Sequence, residues 1–315
     1  MRRYDHCLFA LLLILAASAC DKAFDLDFST DPKLFLQCSP GPGDTTVIQL
    51  NRTVPVGTTM SNELFLESAD IKFRVNGISY YVERVVDSAG AIPQGCWFVK
   101  APLEAGDEVT VEATVAGFNP ISATTTIPPA VPEFTWKCTR DSVRVAFHDD
   151  PVTEDWYGLA VYCERTVIDM DSGQVKTVLR QNLRPLAGLQ DGWWYSMARN
   201  YIDIPFNGWA FGYGWTPVRT WPDTGFSEQE KTTLYMTTRD ITNYWGNYEQ
   251  RDRFKVRLYR FSKEFFRYGV ALDHARNNDL AEIGLAPAAY AYTNVTGGVG
   301  ILAGWNVRET DWFAL

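Results

Sequence analysis

The stretch of sequence that decides the fold is IKFRVNGISY, residues 71–80. Apolar and polar side chains alternate up to Asn76-Gly77, and the alternation begins again after it. Asn-Gly between two alternating runs is the strongest short signal for a β-hairpin, because both turn residues must tolerate a positive φ. The sequence therefore predicts an antiparallel hairpin here, with one buried face.

Short strands with a similar pattern lie on both sides of this hairpin. They fall at residues 34–38, 46–53 and 109–115, and a turn cluster rich in proline and glycine separates the first two. Several short strands with turns between them are typical of an antiparallel sandwich. We therefore predict a mainly β protein whose first domain, residues 32–127, is an Ig-like antiparallel β-sandwich.

A proline-rich segment, IPPAVP at residues 127–132, interrupts the strand pattern. Its three prolines exclude a central strand and favour an extended, stiff connector. We predict a linker at residues 128–132 and a second domain at residues 133–315. That domain is expected to be a β-rich sandwich or barrel with one notable helix near residues 262–277. Ser262 would be the N-cap of this helix, and a glycine-rich strand would follow at residues 297–302.

The beginning of the chain has the features of a signal peptide. Arg2 and Arg3 precede an apolar run at residues 8–15, and small residues lead up to Cys20. A basic start, a short apolar run and a small-residue cleavage site define a secretory signal. We predict a signal peptide at residues 1–19, cleavage before Cys20, lipids on Cys20 and an acidic tether at residues 20–31. The alternative is an ordinary signal followed by a chance cysteine.

The chain is acidic, with 29 basic and 38 acidic residues and a net charge of −9. Removal of residues 1–19 would leave 27 basic and 37 acidic residues, a net charge of −10. This charge argues against nucleic acid as a partner, because nucleic-acid binding neutralises phosphates with Lys and Arg. It also argues against adhesion of the protein surface to anionic lipids. Membrane attachment is therefore expected through the lipid anchor alone.

Four further cysteines follow the anchor: Cys38, Cys96, Cys138 and Cys163. An even number in an exported chain allows disulfides, with three possible connectivities. Cys38 with Cys96 and Cys138 with Cys163 is the favoured pairing, because each bridge would then stay within one predicted domain. Buried free thiols on strands are the alternative. No spacing of Cys or His suggests zinc.

Residues suited to catalysis are sparse. After residue 19 the only histidines are His148 and His274, and no Gly-x-Ser-x-Gly, His-Glu-x-x-His or phosphate-loop motif is present. Asp150, Glu154 and Asp155 could supply a carboxylate pair, but an exposed acidic loop is the expected structure, since acids are mostly exposed. We expect no enzyme activity, no cofactor and no metal. One basic run is expected to form a solvated outer face; it comprises Arg251, Arg253, Lys255, Arg257, Arg260, Lys263 and Arg267.

An aromatic cluster interrupted by glycines lies in the second half of the chain. Flat rings on loops can stack against sugars or peptides, and Trp and Tyr are favoured interface anchors. Core packing is the alternative, because large aromatic side chains are mostly buried. The candidate ligand or partner contacts are Trp193, Trp194, Tyr201, Trp209, Tyr213, Trp215 and Trp221.

Two blocks carry a resemblance to a known family: FSKEFFRY at residues 261–268 and YTNVTGGVGI at residues 292–301. Together with the cysteine and acidic start, they resemble a family of Bacteroidota outer-membrane lipoproteins catalogued as a domain of unknown function. The resemblance spans nearly the whole chain after Cys20. It implies an outer-membrane location facing the cell surface, and company with SusC-type TonB-dependent transporters. It implies no catalytic residues.

The expected function is therefore that of a non-catalytic outer-membrane lipoprotein. The first hypothesis is an accessory subunit of a TonB-dependent transporter, an outer-membrane β-barrel partner, in nutrient capture or uptake. The second is a structural subunit of an outer-membrane assembly or secretion complex. The third is a free surface lipoprotein that binds glycans or peptides through the aromatic cluster.

Overall fold

A computed structural model gives the fold. It describes residues 31–54, 66, 68–86, 92, 94–138, 142–150, 152–169, 175–181, 184–185, 202–205, 217–223, 232–237, 248–276, 278 and 292–314. Cys20 and the predicted signal and tether at residues 1–30 lie outside this part. Within it, no helix has the length and apolar character needed to cross a membrane. The described elements are mostly strands, which confirms the predicted mainly β class.

The first sandwich is made of two sheets that enclose one apolar core. One sheet has the order β18-β1-β2-β6-β5 and the other the order β4-β3-β7-β8. Its core includes Leu36, Phe73 and Val111, which are fully buried. The strands are β1 (Leu34–Cys38), β2 (Thr45–Arg52), β3 (Asp70–Val75), β4 (Ile78–Tyr80), β5 (Val82–Arg84), β6 (Trp97–Lys100), β7 (Glu108–Thr114), β8 (Ile121–Thr126) and, from the far end of the chain, β18 (Val299–Leu302).

The predicted hairpin forms between β3 and β4, in antiparallel register from Val75–Ile78 to Phe73–Tyr80. Its turn residues Asn76 and Gly77 have φ values of 50° and 80°, as a two-residue hairpin turn of this kind requires. The Asn76 amide also donates to Asp107 Oδ1 at 2.7 Å. The turn residues therefore set the register of β4 against β3 in the sheet β4-β3-β7-β8.

The second sandwich pairs a seven-stranded sheet with a four-stranded one. The larger sheet has the order β14-β15-β11-β17-β19, with β12 paired to β11 and β20 to β17, and the smaller the order β13-β16-β10-β9. Strand β11 is apolar on both faces because Tyr157, Leu159 and Val161 face the smaller sheet, while Ala160 packs on the opposite side. The strands are β9 (Phe134–Cys138), β10 (Ser142–Phe147), β11 (Trp156–Asp169), β12 (Val175–Gln181), β13 (Arg184–Pro185), β14 (Ile202–Pro205), β15 (Pro217–Pro222), β16 (Thr232–Thr237), β17 (Tyr248–Phe261), β19 (Trp305–Glu309) and β20 (Phe313–Ala314).

The predicted helix is confirmed as α1 (Lys263–Arg276). Ser262 is its N-cap: the Phe265 backbone N–H donates to Ser262 Oγ at 3.4 Å. Phe265 and Tyr268 pack against the face of the larger sheet that the smaller sheet leaves free. One face of this sheet is thus covered by strands and part of the other by the helix.

A segment that we call the strap, residues 292–304, joins the two sandwiches. Its strand β18 pairs in parallel with β1, so it completes a sheet of the first sandwich although the sequence places it in the second predicted domain. The strap then leads directly into β19, which pairs with β17 in the second sandwich. Gly300 has a φ of +117°, and a Cβ there would lie 1.9 Å from the Leu36 carbonyl oxygen, so only glycine fits.

Candidate functional site

A buried ion pair lies where the two sandwiches meet. The Arg260 guanidinium donates from Nε to Asp155 Oδ1 at 2.7 Å and from Nη2 to Asp155 Oδ2. Both residues are nearly inaccessible, with 6% and 5% of their surface exposed. Arg260 Nη2 also donates to Thr153 Oγ1, and Nη1 donates to the Ala130 carbonyl oxygen, both at 3.2 Å. Arg260, at the end of β17, therefore holds the loop before β11 and the proline-rich linker together.

Two more carboxylates surround this ion pair. Oxygens of Asp149, Asp155 and Asp223 all lie within 4.8 Å of one another. Asp149 Oδ1 accepts from the Tyr157 hydroxyl at 2.5 Å, and Asp223 Oδ2 accepts from the Asp155 backbone N–H at 2.6 Å. We call the set of Asp149, Asp155, Tyr157, Asp223 and Arg260 the junction cluster.

In the junction cluster, burial disfavours the charged state of Asp149 and Asp223. Burial raises the pKa of Asp223 to about 6, and the negative charges of Asp149, Asp155 and Glu154 add to the rise. Burial also raises the pKa of Asp149, against the hydrogen bond from Tyr157. The pKa of Tyr157 is raised by burial and by Asp149, so its hydroxyl keeps its proton and donates.

This arrangement places three acids around a single cation. The three carboxylates could gather round a cation, and the Arg260 guanidinium already supplies a positive charge to one of them, Asp155. Hydrogen bonds from neutral donors and from one arginine hold the three carboxylates in place, which is typical of a structural network. Because burial raises the pKa of Asp223 to about 6, the cluster can take up a proton near that pH.

The sequence-based view of these residues was partly wrong. Asp150 and Glu154 are exposed, as an acidic loop requires, but Asp155 is buried. Arg260 was expected on a solvated face and instead points inward. The signal was present in the alternation of β17, because Arg260 follows the inward-facing Val256 and Leu258 at the same two-residue spacing. An arginine at an inward position needs a buried acid as a partner.

Arg253, Lys255 and Arg257 of the basic run alternate with the inward-facing side chains of β17 and pair with acids. Lys255 and Arg257 both donate to Glu309, at 2.6 and 2.7 Å, and Arg253 pairs with Glu164. The side chain of Arg253 is 54% exposed. Arg253 is therefore exposed, Arg257 is partly exposed and Lys255 is mostly covered, and all three are matched by acids on the neighbouring strands.

Of the seven candidate aromatic contacts, the structure describes Trp221. It is 1% exposed and lies in the core of the second sandwich, with its ring 6.3 Å from that of Tyr157. Its prediction as a ligand contact was wrong, because β15 is an inner strand paired with β11 and turns this side chain towards the smaller sheet. The other six candidates, Trp193, Trp194, Tyr201, Trp209, Tyr213 and Trp215, lie outside the described residues.

The favoured bridge between Cys38 and Cys96 is not formed, and both residues are buried free thiols. Strand β2 separates them: Cys38 pairs with Ile48 of β2, which pairs with Trp97, the neighbour of Cys96. Two strand spacings amount to roughly 10 Å, more than the about 7 Å between Cα atoms that a disulfide allows. The side chains of Cys138 and Cys163 lie outside the described part of the structure.

Comparison with protein-family models matches residues 21–311 to one family, described as "Domain of unknown function (DUF4249)". The match spans most of the chain, so the chain belongs to this family. No curated protein matches the chain.

Proposed function

We propose that the protein is a non-catalytic lipoprotein, anchored at the outer membrane through Cys20, that serves as an accessory subunit of a TonB-dependent transporter of the SusC type. Its task there is to help to capture or pass on a nutrient. The observation that carries the proposal is the strap. A subunit that keeps a partner next to its membrane anchor needs a rigid body. The strap supports this role because its backbone is hydrogen-bonded to both sandwiches.

The ties of the strap are backbone hydrogen bonds on both sides. In the first sandwich, Thr296 exchanges two backbone hydrogen bonds with Ser122, at 2.8 and 3.1 Å. In the second, the Ser262 backbone N–H donates to the Gly304 carbonyl oxygen at 2.9 Å. The Trp305 indole, just beyond the strap, reaches back to the Ser39 carbonyl oxygen at 3.0 Å. Bonds of this kind on both sides favour a fixed angle between the sandwiches over independent motion.

The anchor is supported by the sequence at residues 1–20 and by the overall charge. Two or three acyl chains on one cysteine are enough for stable anchoring. A negatively charged body gains nothing from an anionic leaflet, so the protein would stand off the membrane on its tether. That position suits contact with the part of a membrane protein that projects from the bilayer.

The absence of catalysis is part of the same proposal. The charged groups that are most deeply buried in the described residues, Arg260 and Asp155, are paired with each other, and neutral groups such as Thr153 supply their remaining hydrogen bonds. Bacteroidota origin and a SusC-type partner come from the resemblance of the helix block and the strap sequence, and they are proposed on that ground.

The anchor is tested by fractionation of the tagged full chain and its Cys20→Ser variant. The wild-type chain should sediment with outer membranes and incorporate labelled palmitate, and the variant should incorporate none. A wild-type chain that stays soluble, or that incorporates no more palmitate than the variant, would contradict lipid anchoring at Cys20.

The partner is tested by gentle detergent extraction and affinity purification of the wild-type chain, followed by mass spectrometry. A large TonB-dependent transporter should co-purify in near-equal amount and should be absent from the Cys20→Ser sample. A chain that runs as a monomer in mild detergent would contradict the accessory role. Co-purification of assembly or secretion components instead would replace it with the structural-subunit hypothesis.

A further inference from the structure

The junction cluster contains three carboxylates but one guanidinium, so its negative charge exceeds its positive charge. Arg260 makes both of its carboxylate contacts with Asp155. Asp149 and Asp223 are served by neutral donors, the Tyr157 hydroxyl and a backbone N–H. Three carboxylates within 4.8 Å and one guanidinium leave about two uncompensated negative charges in a half-buried site when all are ionised. Like charges at such a distance raise each other's proton affinity.

Further charged groups face the cluster from neighbouring elements. Glu154 lies on the same loop and pairs with Lys263 of α1 at 2.7 Å, so Lys263 is engaged away from Asp223. His148 precedes Asp149 and is exposed. Asp150 accepts from the Val152 backbone N–H at 3.0 Å on the solvent side of the loop. The described groups around the cluster therefore add negative charge, are already paired or, like His148, are exposed to solvent, and Arg260 is the cation that contacts its acids.

We propose that the junction cluster is a pH-responsive clamp: uptake of one proton, chiefly by Asp223, tightens the contact between the loop at residues 149–157 and the linker, and its loss loosens that contact. The contact in question is the one that Arg260 makes with the Ala130 carbonyl oxygen and with Thr153. Strand β17 carries Arg260 and the strap pairs next to it, so the clamp acts at the joint between the sandwiches.

Asp223 is the proton acceptor for geometrical reasons. Asp155 has two guanidinium bonds, so a cation already contacts both of its oxygens. Asp149 has a short bond from a phenol that keeps its proton. Asp223 has one backbone N–H at 2.6 Å and no cation among its described contacts. Protonation of Asp223 therefore breaks no ion pair among its described contacts and costs the least interaction energy of the three acids.

The pH range and the sign follow from the raised pKa of Asp223. Its pKa in the folded protein is about 6, against an ordinary value of 3.8, so the folded state binds the proton more tightly than the unfolded state does. A group of this kind contributes stability that is complete below its ordinary pKa and is lost as the pH rises through the folded pKa. The clamp is thus tight at about pH 5 and looser above pH 7.

Hydrogen exchange of the full chain tests the clamp. Wild type, Asp223→Asn and Asp44→Asn would be compared at pH 5.0 and 7.5 in the presence of a chelator, after correction for the intrinsic exchange rate. Asp44 is an exposed acid on a turn and serves as the matched control. In wild type and Asp44→Asn, opening of residues 128–133 and 149–157 should increase by up to about tenfold from pH 5.0 to 7.5 relative to strand β7, because a pKa of about 6 in place of 3.8 favours the closed state by that factor at pH 5.0. In Asp223→Asn this increase should disappear, with opening fixed near the low value.

Two results would overturn the proposal. One is an unchanged pH response in Asp223→Asn; the other is a response in wild type that is no larger in these two segments than in β7. If Asp223→Asn does not fold, the second comparison still decides, because it uses the wild-type chain alone. None of these measurements depends on a transporter partner, so the clamp and the proposed function fail separately.

Discussion

Replacing Arg260 with Met removes the centre of the junction cluster while keeping a side chain of similar length. The change deletes the two bonds to Asp155 and the bonds to Thr153 and Ala130. It leaves Asp155, which is 5% exposed, as a buried acid beside two others. Breaking a buried pair by removing one partner costs about 3–5 kcal/mol, mostly because of the uncompensated charge. We expect a loss of this size in the free energy of unfolding of the second sandwich.

The measurement is urea unfolding at pH 7 followed by tryptophan fluorescence, with thermal unfolding alongside. A loss of 3–5 kcal/mol corresponds to a fall in Tm on the order of 10 °C for a unit of this size. The control is Arg253→Met on the same strand, whose side chain is 54% exposed and pairs with Glu164. A surface pair contributes about 0–1 kcal/mol. Equal losses for the two variants would refute the view that Arg260 holds the joint.

Two further predictions concern the first sandwich. Gly300→Ala should destabilise the protein by about 2–4 kcal/mol and make the strap sensitive to proteases, because a Cβ would meet the Leu36 carbonyl oxygen. Gly106→Ala has a similar φ of +90° but open space around the Cβ, so it should cost only about 1 kcal/mol, and equal losses would exclude the backbone contact as the cause. Cys38 and Cys96 should resist iodoacetamide at pH 8 in the folded protein, since burial raises the pKa of Cys96 to about 11 and that of Cys38 further. Both should react in urea without a reductant; a need for reductant would indicate a disulfide.

The parts of the fold that could be predicted are those that neighbouring residues specify. The Asn76-Gly77 turn and the Ser262 cap both form as expected, because positive φ and an unsatisfied helix N–H are local requirements. The predicted domain bounds, with a linker at residues 128–132, stay a prediction. In the structure Ile127, just before the predicted linker, packs in the first core, and Val131, within it, packs in the second.

The parts that could not be predicted depend on partners far apart in the chain. The pairing of β1 with β18 joins residues near 36 to residues near 300, and no local pattern marks it. The glycines of the strap predicted a strand, but the reason for Gly300, the nearby Leu36 carbonyl, appears only in the assembled sheet. The position of β18 in the sequence therefore placed it in the second predicted domain, although it completes a sheet of the first sandwich.

The same limit applies to the site. Asp155 and Arg260 lie 105 residues apart, and each alone resembles an ordinary surface charge. Only the two-residue spacing of Arg260 with Val256 and Leu258 indicated an inward position. Trp221 was misjudged for the opposite reason, because its neighbours in the sequence are glycine-rich and loop-like whereas its strand is buried.

Three different kinds of interaction hold the two sandwiches together at the joint. The linker is fixed by apolar packing at both ends, and the strap is fixed by backbone hydrogen bonds. Neither kind responds to pH near neutrality. The junction cluster is the third kind, and in it Asp223 has a pKa of about 6. Because the first two remain when Asp223 loses its proton, acidity can change the tightness of the joint without unfolding either sandwich. In the proposed accessory subunit, the local pH would then adjust how firmly the two sandwiches are held without releasing the subunit from its partner.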